Sequence, residues 1–241
     1  MKGRGKLTNM AEIDPELAGK VALSANILAW AGHSDMTFGH VSARLPGQEY
    51  LHMTPYGLDL EDVGLENISL IDLEGNELFG ERCPREYPIH TEIYRQRAEI
   101  NCVIHTHPPY SIILSAAGGK LRPISHEGAP FTDLPLFTEV NELILTREQG
   151  KAVAMCLGQA PAALLQNHGI VVAGRSVEET TIYAILLEKA ARTELIARQA
   201  GVQFWSSEEE SRRKVEQVYH ARNIQNIWKY FVRRVQKSAT A

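Results

Sequence analysis

A short apolar run that ends in two alternating histidines is the feature that most limits how this chain can fold. Cys102-Val103-Ile104 leads into His105-Thr106-His107, and Pro108-Pro109 stops the run. The run predicts a β-strand, in which side chains two positions apart lie on the same face. Both imidazoles should therefore point the same way at a strand end, an arrangement that can hold a divalent metal.

The rest of the chain predicts helices that alternate with short strands. Pro15 fits the first turn of one helix, and Ser176 fits the N-cap of a long one. The predicted helices cover residues 15–32, 88–97, 109–117, 176–199 and 206–237, and the predicted strands cover residues 40–45, 50–54, 68–73, 102–107, 162–166 and 170–174. Clustered strands with helices before, between and after them indicate an α/β fold built in layers.

Bulk properties limit the class of protein. The 241 residues, 44% of them hydrophobic, suit one large globular domain, and a net charge of -4 gives no footprint for nucleic acid or an anionic membrane. No apolar stretch reaches the roughly 20 residues that span a bilayer. Three scattered cysteines favour a reducing cytoplasm. We predict a disordered tail over residues 1–12, a domain over 13–205, and a C-terminal helix over 206–241 that packs on the domain or on a neighbouring subunit.

Two further residues complete a candidate metal site. His168 lies between two apolar strands, next to Gly169, where the chain can turn sharply and face the histidine pair. Three neutral imidazoles leave a coordination position for substrate or water, and they suit zinc or manganese better than magnesium or calcium. Glu86 precedes a predicted helix, where its carboxylate can ligate the metal, carry protons, or only cap the helix.

Together with these residues, Gly39-His40-Val41-Ser42 and Thr54-Pro55-Tyr56-Gly57 resemble motifs of the class II aldolase/adducin family. The resemblance covers roughly residues 15–200. It implies a three-layer α/β fold with a mixed, mainly antiparallel central sheet flanked by helices, and a homotetramer with active sites at subunit interfaces. It also implies one divalent metal per subunit, held by the three histidines, with Glu86 as a ligand or proton carrier. The implied contacts to substrate include His40, Ser42, Thr54, Tyr56 and Gly57.

The departures from the family's pattern concern the substrate. The family's sugar-phosphate aldolases typically have asparagine where this chain has His40, and a serine pair where it has Pro84-Arg85. This change removes two hydroxyl donors and adds a guanidinium fork that suits a planar carboxylate. Alternatively, Arg85 reads a phosphate or is a solvated surface charge. Downstream, His126 and Glu127 could supply an acid/base pair near the site, or Glu127 could only cap a turn.

These residues predict a metal-dependent lyase that cleaves a carbon–carbon bond. A metal with one open side stabilises the enolate or carbanion left by that cleavage, and Glu86 or His126 could return a proton. The loss of the serine pair and the gain of Arg85 favour an anionic substrate that is carboxylated and not phosphorylated, and so the decarboxylation of a hydroxy-aromatic or enolisable carboxylic acid. Three alternatives stay open: aldol cleavage of a sugar phosphate or hydroxy-ketone, epimerisation or dehydration of a sugar phosphate, and a non-catalytic binding module as in adducin.

Overall fold

The computed structural model of the protein describes residues 12–238, so the tail predicted as disordered lies, apart from Glu12, outside the described residues. A single sheet forms the centre, with strands in the order β4-β3-β2-β1-β5-β8-β7-β6. Its strands are β1 His40–Ala43, β2 Tyr50–Met53, β3 Ser69–Asp72, β4 Glu77–Phe79, β5 Cys102–Thr106, β6 Leu136–Phe137, β7 Ala162–Leu165 and β8 Gly169–Gly174. All neighbouring strands are antiparallel except β6 and β7, which confirms the mixed, mainly antiparallel sheet.

Helices cover both faces of the sheet. They are α1 Pro15–Leu28, α2 Tyr87–Gln96, α3 Pro109–Ala116, α4 Arg147–Leu157, α5 Val177–Ala200, α6 Glu208–Val218 and α7 Ala221–Ser238. Successive residues of β5 point into two different hydrophobic cores, one on each face of the sheet. Ile104 packs with α1, α3 and α5, whereas Val103 packs with α2 and α4. Because side chains alternate across a strand, one apolar run serves both layers. The predicted three-layer α/β fold is confirmed.

Two predicted helices differ from the structure. Gly32, at φ 90°, ends the first helix in a short π-helical turn over Ala29–His33. The single helix predicted over residues 206–237 is wrong, because it is two helices, α6 and α7. Tyr219 leaves the helical conformation, and the His220 carbonyl oxygen accepts from the Ile224 amide to start α7. Among the described residues, no helix is long and apolar enough to cross a membrane.

The strand register brings several histidines together at the ends of the central strands, along one edge of the sheet. His40 on β1 is paired with His105 on β5, and β5 is in turn paired with β8. A tight turn between β7 and β8 carries His168, and Asn167, at φ 57°, makes the left-handed bend. Gly169 was predicted to allow a sharp turn, but the structure shows that it is needed for a close contact. A Cβ at this position would lie 2.4 Å from the Thr106 carbonyl oxygen. The bare backbone of Gly169 lets β8 approach the end of β5.

Candidate metal centre

The four predicted metal ligands meet at this edge of the sheet. Glu86, His105, His107 and His168 each offer one ligand atom, and these atoms lie within 4.8 Å of one another. The Nε2 atoms of His105 and His107 are 3.0 Å apart. Glu86 places Oε2 3.7 Å from Nε2 of His105 and Oε1 3.6 Å from Nε2 of His168. The spacing is that of side chains converging on one point.

The hydrogen bonds around the cluster fit a bound cation. His105 donates from Nδ1 to the Ile170 carbonyl oxygen at 2.9 Å, which leaves a lone pair on Nε2 facing the cluster. His168 has both ring nitrogens buried without a hydrogen-bond partner among residues 12–238. Such unsatisfied polar atoms are costly, and a cation would satisfy one of them. Three imidazoles and a carboxylate are the donor set of a d-block divalent metal.

The electrostatics of the cluster favour neutral imidazoles. Burial lowers the pKa of His105 well below its ordinary value. Burial also lowers the pKa of His107, although Asp35 opposes the shift, and the pKa of His168, although Glu86 opposes it. Only the neutral form of histidine can ligate a metal, so the resting state of the cluster suits metal binding.

The Glu86 carboxylate lies at the cluster and does not cap helix α2. It occupies the N-cap position of α2, but its side chain makes no capping hydrogen bond. Instead, Oε1 accepts from the Ile144 amide at 2.8 Å. Burial raises the pKa of Glu86, and this amide, His168 and Arg85 only partly oppose the shift. A carboxyl group in this position can ligate a cation or retain a proton.

A cavity opens beside the cluster. Glu86 and His107 contribute to its lining, together with His40, Tyr56 and Arg85. The Arg85 side chain makes no hydrogen bond or ion pair with any described residue. Phe38 and Tyr56 are about half exposed and supply aromatic surface at the mouth. The cavity therefore combines an end where a cation could bind, a guanidinium with no hydrogen bond or ion pair to a described residue, and an aromatic wall.

The structure does not bring every predicted site residue to this cavity. Ser42 and Thr54 are buried and bonded internally, with Thr54 Oγ1 accepting from the Val41 amide at 3.1 Å. Gly57, at φ 83°, forms a turn beside Tyr56 without lining the cavity. Glu127 forms an ion pair with Lys189 at 3.0 Å, and His126 is exposed. Neither residue lines the cavity. A role for His126 and Glu127 in the site stays a prediction.

Sequence reasoning missed several residues around the site. Asp35 places Oδ2 3.3 Å from Nδ1 of His107, in a loop where Met36 has φ 52°. His90 and Tyr94 lie behind His40, on the buried side of α2. Their spacing was a usable signal, since Glu86, His90 and Tyr94 follow one another at intervals of four residues, and residues four apart along a helix share one face. Asp35 had no comparable signal, because it lies in an irregular loop.

Comparisons with known proteins agree with this geometry. The model of the class II aldolase and adducin N-terminal domain family matches residues 20–195. A 3,4-dihydroxyphthalate decarboxylase from Arthrobacter keyseri is 30% identical over 231 residues, which cover 89% of this chain and 92% of that protein. An L-fuculose phosphate aldolase from Methanococcus maripaludis is 30% identical over 158 residues, which cover 66% of this chain and 84% of the relative. Both relatives are named as lyases.

A solved structure supports the fold alone. An aldolase II superfamily protein from Pseudomonas syringae superposes with a TM-score of 0.82 at 24% identity, and the match covers 98% of this chain and 96% of that one. The family match, the sheet and the cluster of three histidines with a glutamate lead to the same assignment. The chain belongs to the class II aldolase and adducin family.

Proposed function

We propose that the protein is a metal-dependent decarboxylase of hydroxy-aromatic carboxylic acids. One observation carries this proposal: Arg85 lies in the cavity wall beside Glu86, and its guanidinium makes no hydrogen bond or ion pair with any described residue. A guanidinium in that position suits a planar carboxylate. The 3,4-dihydroxyphthalate decarboxylase, which is similar over most of both chains, supports the same substrate class.

The chemistry divides between the cation site and Glu86. One zinc or manganese ion per subunit, held by His105, His107 and His168, would supply a Lewis acid for the negative charge that develops as carbon dioxide leaves. The carbon–carboxylate bond breaks, its electron pair stays on the ring carbon, and that carbon then takes one proton. We assign this proton to Glu86, whose Oε2 is free because the Ile144 amide occupies Oε1. Burial of Glu86 raises its pKa and so favours proton retention, whereas a cation held by the three histidines would act in the opposite direction.

Arg85 should bind a carboxylate that the reaction leaves in place. A guanidinium that held the departing carboxylate would stabilise the ground state more than the transition state, because that group loses its charge. We therefore infer an aromatic dicarboxylic acid as substrate. One carboxylate, next to a ring hydroxyl, faces the cation site and departs. The other pairs with Arg85, while the ring lies against Tyr56 and Phe38.

One assay tests the proposal. The purified protein is loaded with zinc or manganese, and carbon dioxide release is measured from 3,4-dihydroxyphthalate, with 3,4-dihydroxybenzoate as the expected product. L-fuculose 1-phosphate is tested in parallel for aldehyde release. Carbon dioxide from the aromatic acid supports the decarboxylase. Aldehyde from the sugar phosphate, with no carbon dioxide from the acid, would overturn it.

Aldol cleavage is the second candidate, and the similarity to the fuculose phosphate aldolase favours it. The two reactions share the stabilised carbanion and differ in the fragment that leaves. Epimerisation or dehydration of a sugar phosphate would need phosphate donors at Pro84-Arg85, where the serine hydroxyls are replaced. A non-catalytic module would not need the complete cluster of three histidines and a glutamate.

Assembly and location are also proposals. We propose the homotetramer that the family resemblance implies, with a neighbouring subunit close to the cavity mouth. Exposed side chains with apolar surface at that mouth, Phe38 and Tyr56, support a covering partner. Light scattering of the purified protein measures the assembly. A cytoplasmic location is supported by three cysteines that form no disulfide.

A further inference from the structure

A chain of buried hydrogen bonds runs from the cavity wall into the core. Nδ1 of His40 lies 2.7 Å from Nε2 of His90, and Nδ1 of His90 lies 2.7 Å from Oγ of Ser42. Oγ of Ser42 lies 2.9 Å from the hydroxyl of Tyr94, which also lies 3.0 Å from the Ser42 carbonyl oxygen. Ser42 and His90 are fully buried, and Tyr94 is 2% exposed. Water therefore does not supply alternative partners along this chain.

The charge state of the chain is fixed by burial. Burial lowers the pKa of His90 to about 3, so its ring is neutral at neutral pH. Burial raises the pKa of Tyr94 well above its ordinary value, so its phenol keeps its proton. Ser42 brings one hydroxyl proton. His90, Ser42 and Tyr94 therefore each contribute a single proton, and each hydrogen bond of the chain needs one.

Counting these protons gives the direction of every bond. A carbonyl oxygen only accepts, so the Tyr94 proton goes to the carbonyl oxygen of Ser42. The bond between the two hydroxyls then uses the Ser42 proton, and His90 must donate from Nδ1 to Ser42. His90 accepts at Nε2, so His40 donates from Nδ1. The reverse direction would leave the Tyr94 proton shared between two acceptors.

We propose that His40 presents a hydrogen-bond acceptor to the substrate, and that His90, Ser42 and Tyr94 are positioning residues that impose this tautomer. His40 lines the cavity, and its ring centroid lies 5.0 Å from that of His105. Of its two ring nitrogens, only Nε2 is left for a ligand. The lone pair on Nε2 accepts from a hydroxyl of the substrate beside the cation site. A methyl ether, which has no proton to donate, is rejected there.

The tautomer can be tested without any substrate. Protein labelled with ¹⁵N-histidine and loaded with zinc is studied by NMR at neutral pH, and couplings between ring protons and nitrogens report which nitrogen carries the proton. His40→Asn and His90→Asn assign the two signals. We expect the proton on Nδ1 in both residues. A proton on Nε2 of His40 would overturn the proposal.

The consequence for recognition is tested with a variant that does not touch the ligand. Tyr94→Phe frees the Ser42 proton, so His40 can adopt either tautomer. We measure by calorimetry how much more tightly zinc-loaded protein binds 3,4-dihydroxybenzoate than its monomethyl ethers. Tyr94→Phe should reduce this preference by roughly tenfold. Tyr183→Phe, the loss of a phenol that is only partly buried and does not line the cavity, is the control and should leave the preference unchanged.

These outcomes separate the tautomer of His40 from the identity of its ligand. The assignment of the ligand as a substrate hydroxyl rests on the proposed function, whereas the assignment of the tautomer does not. An unchanged preference in Tyr94→Phe would contradict the role of the chain in recognition. If the benzoates do not bind although His40 carries its proton on Nδ1, the proposed substrate class fails and the tautomer assignment stands.

Discussion

Replacing Arg85 with glutamine tests whether this residue binds the substrate carboxylate that remains on the product. At about 4 Å, a unit charge pair is worth about 1 kcal/mol in bulk water and about 4 kcal/mol at an effective dielectric constant of about 20. Arg85 is exposed, so its ion pair with a substrate belongs near the lower figure. A charge-assisted hydrogen bond raises the value to about 1–2 kcal/mol. Arg85→Gln should therefore weaken binding of a dicarboxylate about 5- to 30-fold.

The assay compares two acids that differ in one group. 3,4-Dihydroxyphthalate carries both carboxylates, whereas 2,3-dihydroxybenzoate keeps only the one next to the hydroxyl. Arg85→Gln should raise KM for the first acid with little change in kcat, and it should leave the KM or inhibition constant of the second unchanged. Arg175→Gln is the control, because that guanidinium is also on an exposed residue and does not line the cavity.

The pattern of losses decides the role of Arg85. An equal loss for both acids would mean that Arg85 holds the departing carboxylate or acts through the fold. An unchanged KM for the dicarboxylate would remove Arg85 from substrate recognition altogether. Either result would refute the argument that a guanidinium here must bind the carboxylate that stays.

Three further predictions concern the metal and the buried histidines. His105→Ala and His107→Ala should each lose stoichiometric metal and activity together, and full metal content in elemental analysis would contradict their assignment as ligands. Asp35→Asn should weaken metal binding about tenfold in chelator competition, since Asp35 faces Nδ1 of His107, whereas Asp133→Asn, the loss of an exposed carboxylate that does not line the cavity, should not. Burial lowers the pKa of His33 to about 3, so the unfolded state takes up a proton that the folded state excludes as pH falls below about 6.5. His33 should therefore cost about 2 kcal/mol of stability between neutral pH and pH 5, and urea unfolding of His33→Asn should lack this part of the pH dependence; an unchanged pH slope would count against it.

The sequence predicted the centre of the fold better than its margins. Central strands such as β5 and β8 carry apolar runs with recognisable ends, so their positions could be read from the pattern. The two-residue strand Leu136–Phe137 and the exposed strand Glu77–Phe79 carry too few buried side chains for such a signal. Helix α4 was missed although Thr146 and Gln149 form a capping box at its start.

The same contrast holds for the site. The three histidines and Glu86 were predictable as a group because strand ends and helix starts meet at sheet edges. The family resemblance implied that Ser42 touches the substrate, because Ser42 belongs to the same motif as His40. His40 lies at the end of β1 and reaches the cavity, whereas Ser42 lies two residues further in and is covered by His90 and Tyr94. Only the packing of α2 on the sheet separates these two roles.

The placement of His105 between two central strands has a consequence for how such a site can diversify. Its backbone is paired on both sides, so a shift of this ligand would disturb the register of half the sheet. The cavity wall, in contrast, is built from loops that carry Phe38, Tyr56 and Arg85. Insertions or replacements in those loops can change which substrates the cavity accepts, while the cluster of histidines and Glu86 stays unchanged.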